Sequence, residues 1–228
     1  SYYLILIMFM LITSSFLITS YLFIIIYFKL HNYNNANSII NILHSVLIST
    51  SCLLYINNLL SFNLLLSSYY IIIGFFIFDI LFILKYNNRY GLTVKLIHHT
   101  IAIIGILALY YAIDYDKKIT EISCKLFITE IVNIPLEIRL NALRNNYTNK
   151  YIQEISEYTI YLLFLVTRII YPIQDLKYVC TERSIIFCFD YIAIYALWCF
   201  WFIIINYKFY NKFKQKMKLK HEIKKQIN

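Results

Sequence analysis

Two histidines stand side by side at His98 and His99, a third lies at His44, and Asp79, Glu130 and Glu137 sit in similarly apolar surroundings. Imidazole and carboxylate are the partners that acid–base and nucleophilic catalysis draw on. The ring takes a proton or a transient acyl group, and the carboxylate holds it in place. Neighbouring residues on a helix point about 100° apart, so one His of the pair can line a cavity while the other bonds to an adjacent helix. That geometry suits one metal ion poorly, because two helical ligands are better spaced at i and i+4. A site using His44 as a third ligand is the metal alternative, but no metal or cofactor is expected. The plainer reading gives each His a helix–helix hydrogen bond and nothing more.

The elements that must position these groups are membrane-spanning helices. Of the 228 residues 61% are hydrophobic and 14% charged, where soluble domains carry roughly 25% charged residues. Disorder is excluded by the apolar content. A collagen-like fibre is excluded by three Gly and two Pro. Five scattered cysteines exclude a secreted disulfide scaffold. The 23 Tyr reflect compositional drift and anchoring at membrane interfaces rather than a binding surface. A spanning helix needs about 20 mainly apolar residues. Seven such segments are expected, at 3–28, 39–56, 64–84, 93–112, 119–140, 155–173 and 184–207. Their runs are continuous rather than alternating, so a β-barrel is not the reading. The first run is too long for a signal peptide and lacks a basic region before it. The fifth is the least apolar, with Glu121, Lys125, Glu130, Glu137 and Arg139. It crosses only if those charges face protein or a watery cavity; a surface or re-entrant helix is the alternative.

Charge asymmetry orders the segments. With seven spans, 15 Lys and Arg fall on one face and only Lys117, Lys118, Lys177 and Arg183 on the other. Removing the fifth span erases the contrast, so the basic, cytoplasmic-type face carries the C-terminus. Residues 1–36 are read as an N-terminal spanning helix with its loop, 37–210 as the main transmembrane unit, and 211–228 as a basic tail. The tail spaces Phe209, Phe213 and Met217 by four among its lysines, the pattern of an amphipathic helix on an anionic leaflet. Nucleic acid is not an expected partner.

Depth follows from the 1.5 Å helical rise. His44, Asp79, His98 and His99 all fall roughly 8 Å below the basic face, and Glu137 and Glu130 roughly 5 and 15 Å below it. Near the opposite face, Arg168 and Asp190 are both roughly 8–9 Å deep on consecutive segments. A buried ion pair between them is expected, since an unpaired Arg there is costly. Pro135 is expected to free the Ile131 carbonyl and loosen the fifth segment.

The motifs that frame these residues are Phe78-Asp79-Ile80, His98-His99-Thr100, Thr129-Glu130 through Asn133 and Pro135 to Arg139, and Phe164 to Arg168, with His44 in Leu43-His44-Ser45. Together they resemble the TLC-domain superfamily, which includes the ceramide synthases, over about residues 37–210. With Glu130 and Asn133 ahead of Pro135, the pattern is closer to the non-synthase branch. The resemblance implies an all-α polytopic bundle of about seven transmembrane helices, six in a TLC-like unit, located in the endoplasmic reticulum; the mitochondrial inner membrane is the alternative. It implies a lipid-handling protein that binds an acyl chain or phospholipid through His44, His98, His99, Glu130 and Asn133 and affects membrane lipid composition. Membrane lipids are the expected partners. A second expectation is an accessory subunit of a larger membrane complex, such as a respiratory assembly, with protein partners. A third is an acyl-CoA-dependent N-acyltransferase in which His98 or His99 acts as base or acyl acceptor, oriented by Asp79 or Glu130.

Overall fold

The computed structural model describes residues 2–86, 92–111, 117–145, 149–182 and 185–227. The polar junctions at 87–91, 112–116, 146–148 and 183–184, including Arg89 and Arg183 of the charge count, lie outside them. The described residues are helical with short turns, and they contain no strand. In chain order the helices are α1 (Tyr2–Leu30), α2 (Tyr33–Ile56), α3 (Phe62–Tyr86), α4 (Leu92–Tyr111), α5 (Lys117–Ile128), α6 (Asn133–Arg144), α7 (Lys150–Phe164), α8 (Tyr171–Glu182) and α9 (Ile185–Ile227). A 3-10 turn, Thr129–Val132, joins α5 to α6, and a π turn, Leu165–Ile170, joins α7 to α8.

Polar residues set the helix ends. His31 and Asn58 take positive φ at the two tight reversals, where a short polar side chain tolerates the left-handed region better than a branched one. Asn32 caps α2 by accepting from Asn35 N at 3.0 Å, and Asn149 caps α7 by accepting from Tyr151 N and Ile152 N. Each cap answers backbone donors that a helix start leaves orphaned. The ends also meet in pairs: Asn35 donates to Asn145 at 3.1 Å, and Lys117 donates to Asn58 at 3.2 Å.

Five stretches among the described residues are long and apolar enough to cross a membrane: Ile5–Leu30, Tyr33–Ile56, Phe62–Tyr86, Tyr151–Thr181 and Cys188–Lys212. The expected fourth and fifth segments are not among them: the apolar stretch described in α4, Lys95–Leu107, is shorter, and α5–α6 carries many charges. Ile5, Phe9, Leu17, Ile18 and Tyr21 cover the outside of α1 and are exposed. An apolar surface that wide belongs against lipid or protein rather than water.

The core lies around α3, whose Tyr69, Tyr70, Ile72, Phe75, Phe76 and Phe82 are buried between α1, α2 and α4. No break in packing follows residue 36, since α1 rests on α3 along its length. Nor is there a break at residue 210. The helix α9 runs for 43 residues, about 64 Å of rise against a hydrocarbon core of roughly 30 Å. The expected tail is thus helical and continuous with the last helix.

The α1–α3 seam depends on Gly74. A Cβ there would lie 2.6 Å from Ile12 O, 2.7 Å from Ser15 Cβ and 2.9 Å from Phe16 N. Ser15 uses the close approach to donate to Ile71 O at 2.6 Å. Because two of the obstructing atoms are backbone, Gly74→Ala is expected to cost about 1–3 kcal/mol by overpacking. Ile18→Ala, on the exposed face, should cost much less. Denaturant titration of the purified protein in mixed micelles measures both.

Candidate functional site

The helix α2 presents a buried polar stripe of Asn37, Ser38, Asn41, His44, Ser45 and Ser49 to its neighbours. Asp79 of α3, with no exposed surface, lies against the top of that stripe. Its Oδ1 accepts from Asn37 Nδ2 at 3.2 Å, and its Oδ2 lies 2.8 Å from Lys95 Nζ and 2.9 Å from His99 Nε2. Asp79 therefore ties α2 and α4 to α3. Lower on the stripe, His44 stacks on Phe75 with centroids 3.7 Å apart and meets the edge of Phe76. Phe76 in turn touches His99 at 4.6 Å. Glu137 of α6 accepts from Ser38 Oγ at 2.5 Å and Asn41 Nδ2 at 2.7 Å.

A second cluster forms where the backbone leaves α geometry. Glu130 sits in the 3-10 turn and Arg168 in the π turn. Glu130 Oε1 is 3.6 Å from His98 Nε2 and 3.7 Å from Arg168 Nη2, while its Oε2 accepts from Asn133 Nδ2. The same Arg168 nitrogen donates to Thr129 O and Asn133 Oδ1, each at 3.3 Å. Its guanidinium carbon lies 5.2 Å from the Phe164 ring centroid and 5.7 Å from that of Trp198, within cation–π range.

This cluster forms one end of a partly open cavity of about 380 Å³ between α4, α6, α7 and α9. The wall is mainly apolar: Val132, Leu136, Ile160, Phe164, Leu197, Trp198, Trp201 and Ile205. A second polar level, with Arg139, Glu157 and Lys208, also lines it. Glu157 there pairs with both Arg139 and Lys212. Along the chain the two levels are separated by nine residues from Glu130 to Arg139 and by eleven from Glu157 to Arg168, roughly 15 Å of helical rise. The volume falls in the range of small-ligand sites. Among the described residues no group of three or more His, Cys, Asp or Glu is disposed to hold a metal ion.

The structure brings Asp79, His98, His99, Glu130 and Asn133 into adjoining clusters, and His98, His99, Glu130 and Asn133 line the cavity. His44 does not line it; its ring is taken up by Phe75 and Phe76. The expected Arg168–Asp190 pair is replaced by Arg168–Glu130. Asp190 lies instead against Gly105 of α4, with no cation within 4 Å among the described residues. Helical rise fixes depth but not azimuth, and the π turn at Leu165–Ile170 rotates Arg168 toward the 3-10 turn. Sequence reading missed Asn37, Asn41, Arg139 and Glu157; their polar character within or beside apolar runs was the available signal. Comparison with protein-family models, with curated proteins and with solved structures gives no match.

Removing one member of a buried ion pair strands the other. Glu130→Gln is expected to lower stability by about 3–5 kcal/mol, and the double change Glu130→Gln with Arg168→Met to recover a large part of it. A double-mutant cycle followed by reversible unfolding in micelles measures the coupling. Additive losses would show that the two side chains do not depend on each other.

Proposed function

We propose that this protein is an integral membrane lipid-binding protein that takes an acyl chain of a membrane lipid into the cavity between α4, α6, α7 and α9. The observation that carries the reading is the cavity's composition: an apolar, aromatic wall running between two polar levels about 15 Å apart. An amphiphile fits such a site with its head group at Arg139, Glu157 and Lys208. Its chain then passes Leu136, Ile160 and Trp201 toward Glu130. The TLC-like grouping of His98-His99 with the Glu130 segment supports the same reading, as does the apolar exterior. The membrane is the endoplasmic reticulum, with the mitochondrial inner membrane as the alternative.

Delipidated protein reconstituted with a phospholipid mixture is expected to retain one lipid per chain in native mass spectrometry. Ile160→Trp and Leu197→Trp, which add bulk to the wall, should abolish that adduct while the fold is kept by circular dichroism. Undiminished lipid in both variants would place the bound lipid outside the cavity and sink the proposal.

Seven crossings complete the reading. The α4 and α5–α6 segments cross because their charges are answered inside the bundle, Glu130 and Glu137 being nearly fully buried. The pairing of Asn35 with Asn145 at one end and of Lys117 with Asn58 at the other supports this alternation. In a background with Cys180 and Cys188 changed to Ser, Asn145→Cys and Asn58→Cys should be labelled by an impermeant maleimide from opposite sides of sealed vesicles. Labelling of both from one side would reject seven crossings.

A second reading is acyl transfer. His98 lines the cavity with Glu130 as its carboxylate neighbour at 3.6 Å, the arrangement of an oriented general base. His98→Ala should then abolish turnover of an acyl-CoA with an amine acceptor while leaving lipid binding in place.

A further inference from the structure

Cys180 lies near the end of α8 and Cys188 near the start of α9. Cys188 Sγ is 2.8 Å from Cys180 Sγ. A disulfide bond is about 2.05 Å long, so less than about 1 Å separates this pair from bonding distance. Cys180 is exposed and Cys188 half-buried, whereas Cys52 and Cys124 are sealed in the core. Cys199 is half-buried as well, so access alone does not choose; access and the 2.8 Å approach coincide at Cys180 and Cys188.

We propose that Cys180 and Cys188 are a redox-active pair that closes to an intramolecular disulfide between α8 and α9. The thiolate of one cysteine attacks a sulfur of an incoming disulfide, a small one such as oxidised glutathione or that of a dithiol oxidoreductase. One thiol leaves and a mixed disulfide remains. The thiolate of the second cysteine then displaces the other half. Two cysteine thiols are oxidised, one external disulfide is reduced to two thiols, and the two protons end on those leaving thiols.

The position gives the bond a structural effect. The π turn and α7 continue from α8 and carry Phe164 and Arg168, while α9 carries Trp198 and Trp201. The bond ties these two cavity walls together at the end away from Lys208. On the seven-crossing reading this end lies on the face poor in Lys and Arg, away from the reducing cytosolic side, where a disulfide persists. The bond does not require that the cavity hold a lipid.

The full-length protein in its membranes is equilibrated with graded ratios of oxidised to reduced glutathione, quenched with N-ethylmaleimide, digested and analysed by mass spectrometry. The expected product is one cross-linked peptide pair joined through Cys180 and Cys188, lighter by two hydrogens and reopened by reductant. Cys52 and Cys124 should not change. Cys188→Ser should stop at a glutathione adduct on Cys180. The wild-type midpoint of thermal unfolding should fall on reduction, and that of the variant lacking both cysteines should not respond. Alkylation of both thiols at the most oxidising ratio overturns the proposal, as does a wild-type protein that accumulates glutathione adducts without closing the ring.

Discussion

A carboxylate taken into a helix bundle of this apolarity has to be answered by a neighbouring helix, and that requirement fixes how these helices sit. Asp79 on α3 is met from α2 and α4, and Glu137 on α6 from α2. Glu130 is met from α4 and from the π turn, Glu157 on α7 from α6 and α9, and Asp175 on α8 from Lys125 on α5 at 3.0 Å. Apolar packing alone discriminates poorly between helix registers where the surroundings are equally apolar. A stranded buried charge costs about 3–5 kcal/mol, against at most about 1 kcal/mol for a typical exposed pair. The carboxylates consequently act as joints. The helix α1 has only Lys29 near its end and is fastened differently, by close approach at Gly74 and the Ser15 hydroxyl.

One of those joints, Glu130 with Arg168, depends on two interruptions in α geometry, and each interruption lies just ahead of one of the chain's two prolines. A proline removes the hydrogen bond to the carbonyl four residues earlier and clashes with it. For Pro135 that carbonyl belongs to Ile131, within the 3-10 turn; for Pro172 it belongs to Arg168, within the π turn. Pro135 falls in the first turn of α6, where its missing donor is tolerated, so the segment restarts rather than merely loosening. The Thr129 carbonyl, in the same 3-10 turn, accepts from the Arg168 guanidinium. The side chains on these two turns, Glu130 and Arg168, then meet. The prolines thus locate the site before any side chain is considered.

Much of this was legible in the sequence, because apolar run length and polar junctions determine where helices begin and end. The shared depth of Asp79, His98 and His99 followed from rise alone, and the Asp79–His99 contact agrees with it. What depth could not supply was rotation. Arg168 and Asp190 were matched in depth, yet the π turn carries Arg168 round to Glu130. His44 had the right depth but points at Phe75 and Phe76. The stripe on α2 was hidden because Asn and Ser at helical spacing read equally well as a tolerated face of a span. The tail's four-residue pattern marked a helix but not that it continues the last span without a break.

The paired histidines show what the rotation accomplishes. His99 turns into the core to Asp79, and His98, one residue earlier, turns to the cavity and Glu130. The helix α4 is thereby committed to both clusters at once, so a shift that improves one contact must disturb the other. One turn and a half further along α4, Gly105 leaves the space that the Asp190 carboxylate occupies. A small void of about 30 Å³ there shares His98, Glu130 and Trp198 with the main cavity, room enough for a water molecule. Half-buried Asp190 thus sits against bare backbone and a small void, where Asp79 and Glu130 have cations. A side chain at position 105 would close that void onto a carboxylate that has no cation within 4 Å among the described residues, so the space the glycine leaves stands where a partner would otherwise be.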